Sequence, residues 1–364
     1  MTAVNDPIRI GIVGLGNIGH HHADRLIEQG DGVALAGGMD IAPEARESFA
    51  DAYGVPVYDD HRDLYETVDA VVITTPNRFH EEYAVTALEA DLHVLLEKPL
   101  AHSLESARRI EAAAEDADGF CMIGLDKRFL NAVRLVKNRI DRGEFGEVTH
   151  VEANYVRRRG VPGRGSWFTR REVSGGGALI DLGVHAIDLS MYLLGYPEPR
   201  EVSGVTRSEF GSREDYAYLE MWGDDQGADA FDVDDSASAF VRCDGDRTIS
   251  LEVAWATNRP STHEFVVRGT EAAARFDLLT NELTIHSASS DGPNHMIDTD
   301  VETEQNDSHA DEQAAFVEAI ATGTAAGCDV DEAMTVQRIV DGIYRSSETG
   351  TTVSLEEPTL EPEA

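Results

Sequence analysis

Two short stretches of this chain carry residue types at spacings that chemistry uses. The first is GIVGLGNIG, where Gly14, Gly16 and Gly19 repeat as G-x-G-x-x-G between an apolar run and a helical one. The first glycine permits a tight turn. The second lets backbone approach a pyrophosphate, and the third allows close helix–strand packing. Asn17 and Ile18 open the helix, whose N–H groups and positive dipole end face the phosphates. About 20 residues later a second strand, GVALAGGMD, ends at Asp40, a carboxylate suited to a ribose 2′-hydroxyl. Asp40 would repel a 2′-phosphate, so NAD is expected ahead of NADP, with NADP left open. Arg46 lies too far along to be an obvious phosphate ligand.

The second stretch is HVLLEKPLAHS. Lys98 is one of only three lysines, with Lys127 and Lys137, among 30 basic residues. A lysine after a strand is ordinarily a solvated charge. Here arginine supplies charge everywhere else, so a chemical role is expected for Lys98. Its ammonium is a compact point charge with rotatable donors, unlike a guanidinium fork. The strand brings Lys98 to a sheet's carboxyl edge, where ligands bind, and Pro99 restricts it to extended backbone.

Other residues invite chemistry and do not hold it. His20, His21 and His22 are adjacent on a helix and point in different directions, so they cannot share one metal. Cys121, Cys243 and Cys328 are far apart, with no C-x-x-C spacing, and read as buried free thiols. No metal is expected.

The elements that must position these residues alternate through the first 125 positions as strand and helix, implying right-handed crossovers and a parallel sheet covered on both faces. Past residue 125 the pattern changes. A long helix, NAVRLVKNRIDRGEFG, is followed by EVTHVEANYVRRR and by a glycine-rich segment entering another helix. Alternating strands such as SASAFVRCD, TISLEVAWA and HEFVVRG then build a large, mostly antiparallel sheet. The fold class is α/β: a parallel-sheet dinucleotide-binding domain over 1–125, and an α+β domain with an open sheet over 126–355. Residues 356–364 read as a frayed tail. Acidic stretches at 224–235 and 296–311 read as surface loops.

Composition bounds the function. The net charge is −38, from 68 acidic and 30 basic residues, which argues against nucleic acid as a partner. With so little lysine it reads as a haloarchaeal-type surface, stabilised by salt that screens its self-repulsion. No apolar run approaches the ~18 residues of a membrane span, and the N-terminus lacks the pattern of a signal peptide. A cytoplasmic protein with no membrane partner is expected.

Taken together, GLGNIG, ITTPNRFH, EKPL, GLDKRF and GGGALIDLGVHAIDL resemble the glucose–fructose oxidoreductase/inositol dehydrogenase family, often called Gfo/Idh/MocA, over most of the chain. The resemblance implies a Rossmann domain, a second domain with an open, largely antiparallel sheet, sugar or cyclitol substrates, and homodimers or homotetramers. It implies that Lys98, Asp181 and His185 are catalytic. Histidine suits transfer of the hydroxyl proton, since its ordinary pKa of ~6.5 lies near working pH. Asp181, four residues before His185, shares its helix face and favours its protonated form, and Lys98 stabilises a developing alkoxide. Asp188 shares that face as the competing acid. Thr75, Pro76, Asn77 and His80 line the cofactor on this resemblance, and Glu97 is a cofactor-side acid. Two other activities fit: an NAD-dependent glycosidase acting by transient oxidation, and a cofactor-sensing regulator without turnover.

The segment RRRGVPGRGSWFTRRE is odd in so acidic a chain. Arg157, Arg158, Arg159, Arg164, Arg170 and Arg171 surround Trp167 and Phe168. Arginine forks recognise carboxylate or phosphate, so an acidic sugar is one expectation and salt bridging at a subunit contact the other. Arg128, in GLDKRF, and Arg157 with Trp167 are the further candidates for substrate contact.

Overall fold

The computed structural model describes residues 6–30, 32–219, 221, 223–323 and 327–356. The expected tail lies, beyond residue 356, outside the described residues. Two compact units are present. The first comprises 1–130, 172–175 and 305–337; the second comprises 131–171, 176–304 and 338–364.

The first unit alternates as read: β1 Ile8–Val13, α1 Asn17–Glu28, β2 Val33–Met39, α2 Pro43–Tyr53, β3 Val57–Tyr58, α3 His61–Tyr65, β4 Ala70–Ile73, α4 His80–Glu89, β5 His93–Glu97, α5 Leu104–Asp116 and β6 Cys121–Gly124. The strands are ordered β3-β2-β1-β4-β5-β6, and every pairing is parallel. Strand order reverses between β1 and β4, and the crevice there is where such sheets bind ligands. Ile10, Ile12, Val72 and Leu95 are buried in the sheet, with Leu26 and Phe49 packed on it from the helices. Continuous apolar runs such as AVVI are what a sheet covered on both faces requires.

The second unit holds α6 Asn131–Asp141, β7 Val148–Val156, α8 Val184–Leu194, β8 Pro199–Arg207, β9 Ser236–Cys243, β10 Thr248–Ala254, β11 Thr262–Gly269, β12 Ala272–Asp277, β13 Glu282–Ser289, β14 His295–Asp300 and β15 Val353–Ser354; the short α7, Arg171–Ser174, precedes α8. These strands form one nine-stranded sheet, ordered β14-β13-β12-β11-β7-β10-β9-β8-β15. Only β7 and β10 run parallel. Helix α8 packs on β7 and β10. The register puts Ser203, Val205, Phe240, Ser250, Glu152 and Val266 on one face of this sheet, with Val205 and Phe240 48 % and 40 % exposed.

Several sequence expectations are corrected. The acidic stretch 296–311 is not one loop: His295–Asp300 is the edge strand β14, exposed at every residue, and a helix, α9, begins at Ser308 and runs to Thr322. Charges along an exposed edge discourage pairing with another chain. Within 224–235, Asp234 and Asp235 are buried. Residues 305–337 group with the first unit although they follow the second in sequence. Phe316 of α9 is buried against Phe120, which ties this late helix to the first sheet. The last helix, α10, spans Val330–Thr349. One described stretch, Arg171–Leu194, is long and apolar enough to cross a membrane, yet 89 % of its apolar window is buried in the protein, as in a core helix. All three cysteines are free and buried.

Candidate active site

The glycine turn after β1 is built for close approach. Gly14 has φ +94°, a conformation that favours glycine, and a Cβ on Gly19 would stand 2.2 Å from the Gly14 carbonyl oxygen. A Cβ on Gly16 would meet nothing within 4 Å, so this side of the turn is open. Asn17 and Ile18 begin α1 and are exposed beside it. The Thr75 hydroxyl, just past β4, is buried without a protein partner. Asp40 closes the edge: one carboxylate oxygen accepts from Leu15 N and the other from Ala42 N, both at 2.8 Å. Each oxygen keeps a second lone pair for a ribose hydroxyl. An open glycine cradle, an orphan hydroxyl and a rim carboxylate together fit a dinucleotide. Arg46 is nearer than its sequence position suggests: the first turn of α2 brings it back to the Asp40 carbonyl, at 2.7 Å.

Lys98 follows β5 directly, half-buried, and its bond to Pro99 is cis. Beside it, the Glu97 carboxylate accepts from His22 Nε2 at 2.8 Å and from the Lys98 backbone N–H at 3.1 Å. Burial pushes the Glu97 carboxyl up. The hydrogen bond and charge of His22, with the charges of His309 and Lys98, outweigh this and bring it down to about 2. His22 Nδ1 in turn lies 2.6 Å from Gln313 Nε2 on α9. A carboxylate thus stands ionised next to Lys98, held by a histidine that α9 orients.

The three adjacent histidines diverge as helical geometry requires. His20 meets Tyr53, and His22 meets Glu97. His21 packs edge-on against His309, and their ligand-type atoms gather with one of Asp307 within 4.8 Å. Asp307 already caps α9 and pairs with Arg25 at 2.6 Å. His80 braces the site rather than lining it. It is 0 % exposed, and its ring nitrogens lie 2.8 Å from the Pro99 carbonyl and 2.9 Å from that of Thr75. Burial pushes its pKa down. Asn77 is also buried and donates to the Ser174 carbonyl at 2.8 Å, whereas Pro76 is half-buried.

In the second unit, Asp181 lies in a π-helical turn, Leu179–Gly183, that runs straight into α8 and His185. The sequence reading as one regular helix is corrected here. Such wide turns recur at functional sites. Asp181 accepts a hydrogen bond from the indole Nε1 of Trp255 at 2.8 Å. His185 is buried, with its ring 6.3 Å from that of Tyr155. Asp188, the competing acid, is buried and accepts from Tyr196 Oη at 2.8 Å, which gives it a structural duty.

Three arginines of the arginine-rich segment take protein partners. Arg164 is buried and grips Asp225 with two nitrogens, at 2.9 and 2.7 Å, while donating to the Gly211 and Arg213 carbonyls. Arg159 bonds the Thr257 carbonyl and lies over the Phe210 ring at 4.5 Å; Arg171 lies over Tyr344 at 5.6 Å. Arg157 is half-buried after β7, and Trp167, also half-buried, stacks on Phe168 with centroids 3.8 Å apart. In the first unit Arg128 is buried, ion-paired with Glu332 and bonded to the Gly327 carbonyl. Its charge serves that unit's fold.

The class follows from these features and from comparison. Residues 8–125 match the family described as "Oxidoreductase family, NAD-binding Rossmann fold", and residues 133–275 match the "GFO/IDH/MocA C-terminal domain". The chain belongs to the Gfo/Idh/MocA family: it is an oxidoreductase with NAD as its cofactor class. Among curated relatives, it is 28 % identical to the D-glucoside 3-dehydrogenase of Escherichia coli, over 96 % of this chain and 98 % of that one. It is 27 % identical to the D-xylose 1-dehydrogenase [NADP(+)] of Haloarcula marismortui, over 98 % and 95 %. Among solved structures, levoglucosan dehydrogenase in complex with NADH has the same fold, with TM-score 0.84 and 23 % identity, covering 96 % of this chain and 100 % of that one.

Proposed function

We propose that this protein is an NAD-dependent dehydrogenase of a sugar, sugar acid or cyclitol. The observation that carries the reading is Lys98 at the carboxyl end of β5, beside an ionised Glu97, on the sheet edge that also carries Gly14 and Thr75. Relatives named as glucoside, xylose and scyllo-inositol dehydrogenases support the substrate class. The glycine turn at Gly14 and Gly16, with Asp40, would hold the dinucleotide, which would supply the hydride acceptor for the carbinol carbon. Lys98 holds the reacting oxygen and stabilises its developing negative charge. His185 takes the hydroxyl proton, and Asp181 binds a neighbouring hydroxyl and favours the imidazolium. Asp40 at the ribose position favours NAD over NADP.

The polar face of the nine-stranded sheet, with Val205 and Phe240 exposed, supports a homodimer or homotetramer formed through it. Buried free thiols suit the reducing cytoplasm.

The test is a screen of methyl D-glucoside, D-xylose, scyllo-inositol and D-glucuronate for NADH absorbance, followed by Lys98→Ala and Lys98→Arg. Both variants are expected to bind NAD as the parent does and to lose at least ~100-fold in kcat/KM, the scale of one lost transition-state contact. Full activity in Lys98→Ala refutes the mechanism.

A further inference from the structure

The turn that carries Asp181 is held by residues with no part in the chemistry above. Asp234 and Asp235 precede β9, and Trp255 follows its neighbour β10. The antiparallel pairing of Ala254 with Ser236 sets these three side by side. The buried Asp234 carboxylate accepts from Gly177 N at 2.8 Å, Leu179 N at 2.9 Å and Tyr344 Oη at 2.8 Å, and its carbonyl accepts from Ala178 N at 2.9 Å. The contact is so close that a Cβ on Gly177 would stand 1.8 Å from the Asp234 carbonyl oxygen, and one on Gly176 would stand 2.0 Å from Tyr344 Oη. That explains two of the three consecutive glycines.

Asp235 anchors the other end. Its carbonyl accepts the Trp255 backbone N–H at 2.8 Å, and its carboxylate takes Phe210 N and Gly211 N. Trp255 is 0 % exposed, so packing fixes its indole, whose Nε1–H reaches Asp181 Oδ2. Asp234 fixes the backbone of the turn, and Trp255 fixes the side chain that the turn presents.

We propose that Trp255 is a positioning residue that aims the Asp181 carboxylate at the substrate, on a turn clamped by Asp234. This rests on the role given to Asp181 under the proposed function. The indole offers a donor and no acceptor, so it holds Asp181 by one carboxylate oxygen, Oδ2.

The test is a double-mutant cycle of Trp255→Phe and Asp181→Asn, read as kcat and KM with whichever sugar of the screen gives turnover, alongside NAD binding by fluorescence. Phenylalanine keeps most of the apolar packing and removes the N–H. With Asp181 intact, Trp255→Phe is expected to lower kcat/KM by roughly tenfold to 100-fold, the range for a lost hydrogen bond to a charged group, with NAD affinity unchanged. In the Asp181→Asn background the same change should cost under about twofold, since coupled residues do not add. Equal losses in both backgrounds, or wild-type kinetics in Trp255→Phe, overturn the inference and leave the dehydrogenase reading intact. Full activity in Asp181→Asn, or no turnover of any sugar, removes the parent reading, and the inference falls with it.

Discussion

Replacing Glu97 by glutamine keeps the size of the side chain beside Lys98 and removes its charge. In the folded protein this carboxyl sits at about 2 instead of the ordinary 4.5. At about 1.4 kcal/mol per factor of ten in proton affinity, the ionised carboxylate contributes about 3 kcal/mol to folding at neutral pH. The side chain is only 14 % exposed, so solvent screens little of this. The sign follows from linkage. A carboxyl whose folded pKa is depressed stabilises the fold above its unfolded value, and the effect is lost as pH falls through the folded value. The gap in unfolding free energy between wild type and Glu97→Gln should therefore be about 3 kcal/mol at pH 7 and roughly half that at pH 3. Guanidinium chloride titrations of both proteins, at matched ionic strength across this range, measure it. His22 is the main stabilising partner, at 2.8 Å, so glutamine, which retains a hydrogen-bonding carbonyl, isolates the charge. A gap that stays constant from pH 7 to pH 3, or one near zero at pH 7, refutes the reasoning.

Two further outcomes are expected. With a net charge of −38, lowering KCl from about 2 M to about 0.1 M lengthens the screening distance from a few Å to ~10 Å, so the melting temperature should fall; a salt-insensitive melt removes the saline-adaptation reading. Phe240→Arg on the exposed sheet face should shift the light-scattering mass in high salt toward the monomer, and an unchanged mass means that this face is not the subunit contact.

What the sequence made legible was local. The glycine turn, Asp40 and Lys98 are each announced within a few residues of a strand end, and strand–helix alternation needs only neighbouring periodicity. What it hid was non-local. Asp234 and Asp235 read as members of an acidic surface run because composition cannot reveal that backbone N–H groups satisfy them; Asp234 reaches Gly177, 57 residues away. Trp255 read as one more strand residue, since its value lies in an N–H aimed at Asp181, 74 residues away. The arginine segment carried two expectations, an acidic sugar and salt bridging. Clustering in sequence does not choose between them; Arg164 turns inward to Asp225, and Arg159 turns to backbone carbonyls. Helix α9 lies within 126–355 in sequence yet groups with the first unit, because sequence order says nothing of where a returning helix packs.

The division of labour between the two cation types bears on why Lys98→Arg should fail as Lys98→Ala does. Arginine here repeatedly acts as a two-nitrogen fork on one carboxylate: Arg9 on Asp69, Arg164 on Asp225, Arg200 on Asp244 and Arg213 on Asp215. A guanidinium beside Glu97, already an ionised carboxylate, would find the same partner and close the fork on it. An ammonium is a single point with rotatable donors and cannot close such a fork on Glu97, which accepts from His22. A stabiliser of developing alkoxide needs donors that can turn, because the charge it serves exists only during the reaction. Lys98→Arg keeps the formal charge and should still lose turnover, and an arginine variant as active as the parent would show that charge alone, without a point donor, is what this position supplies.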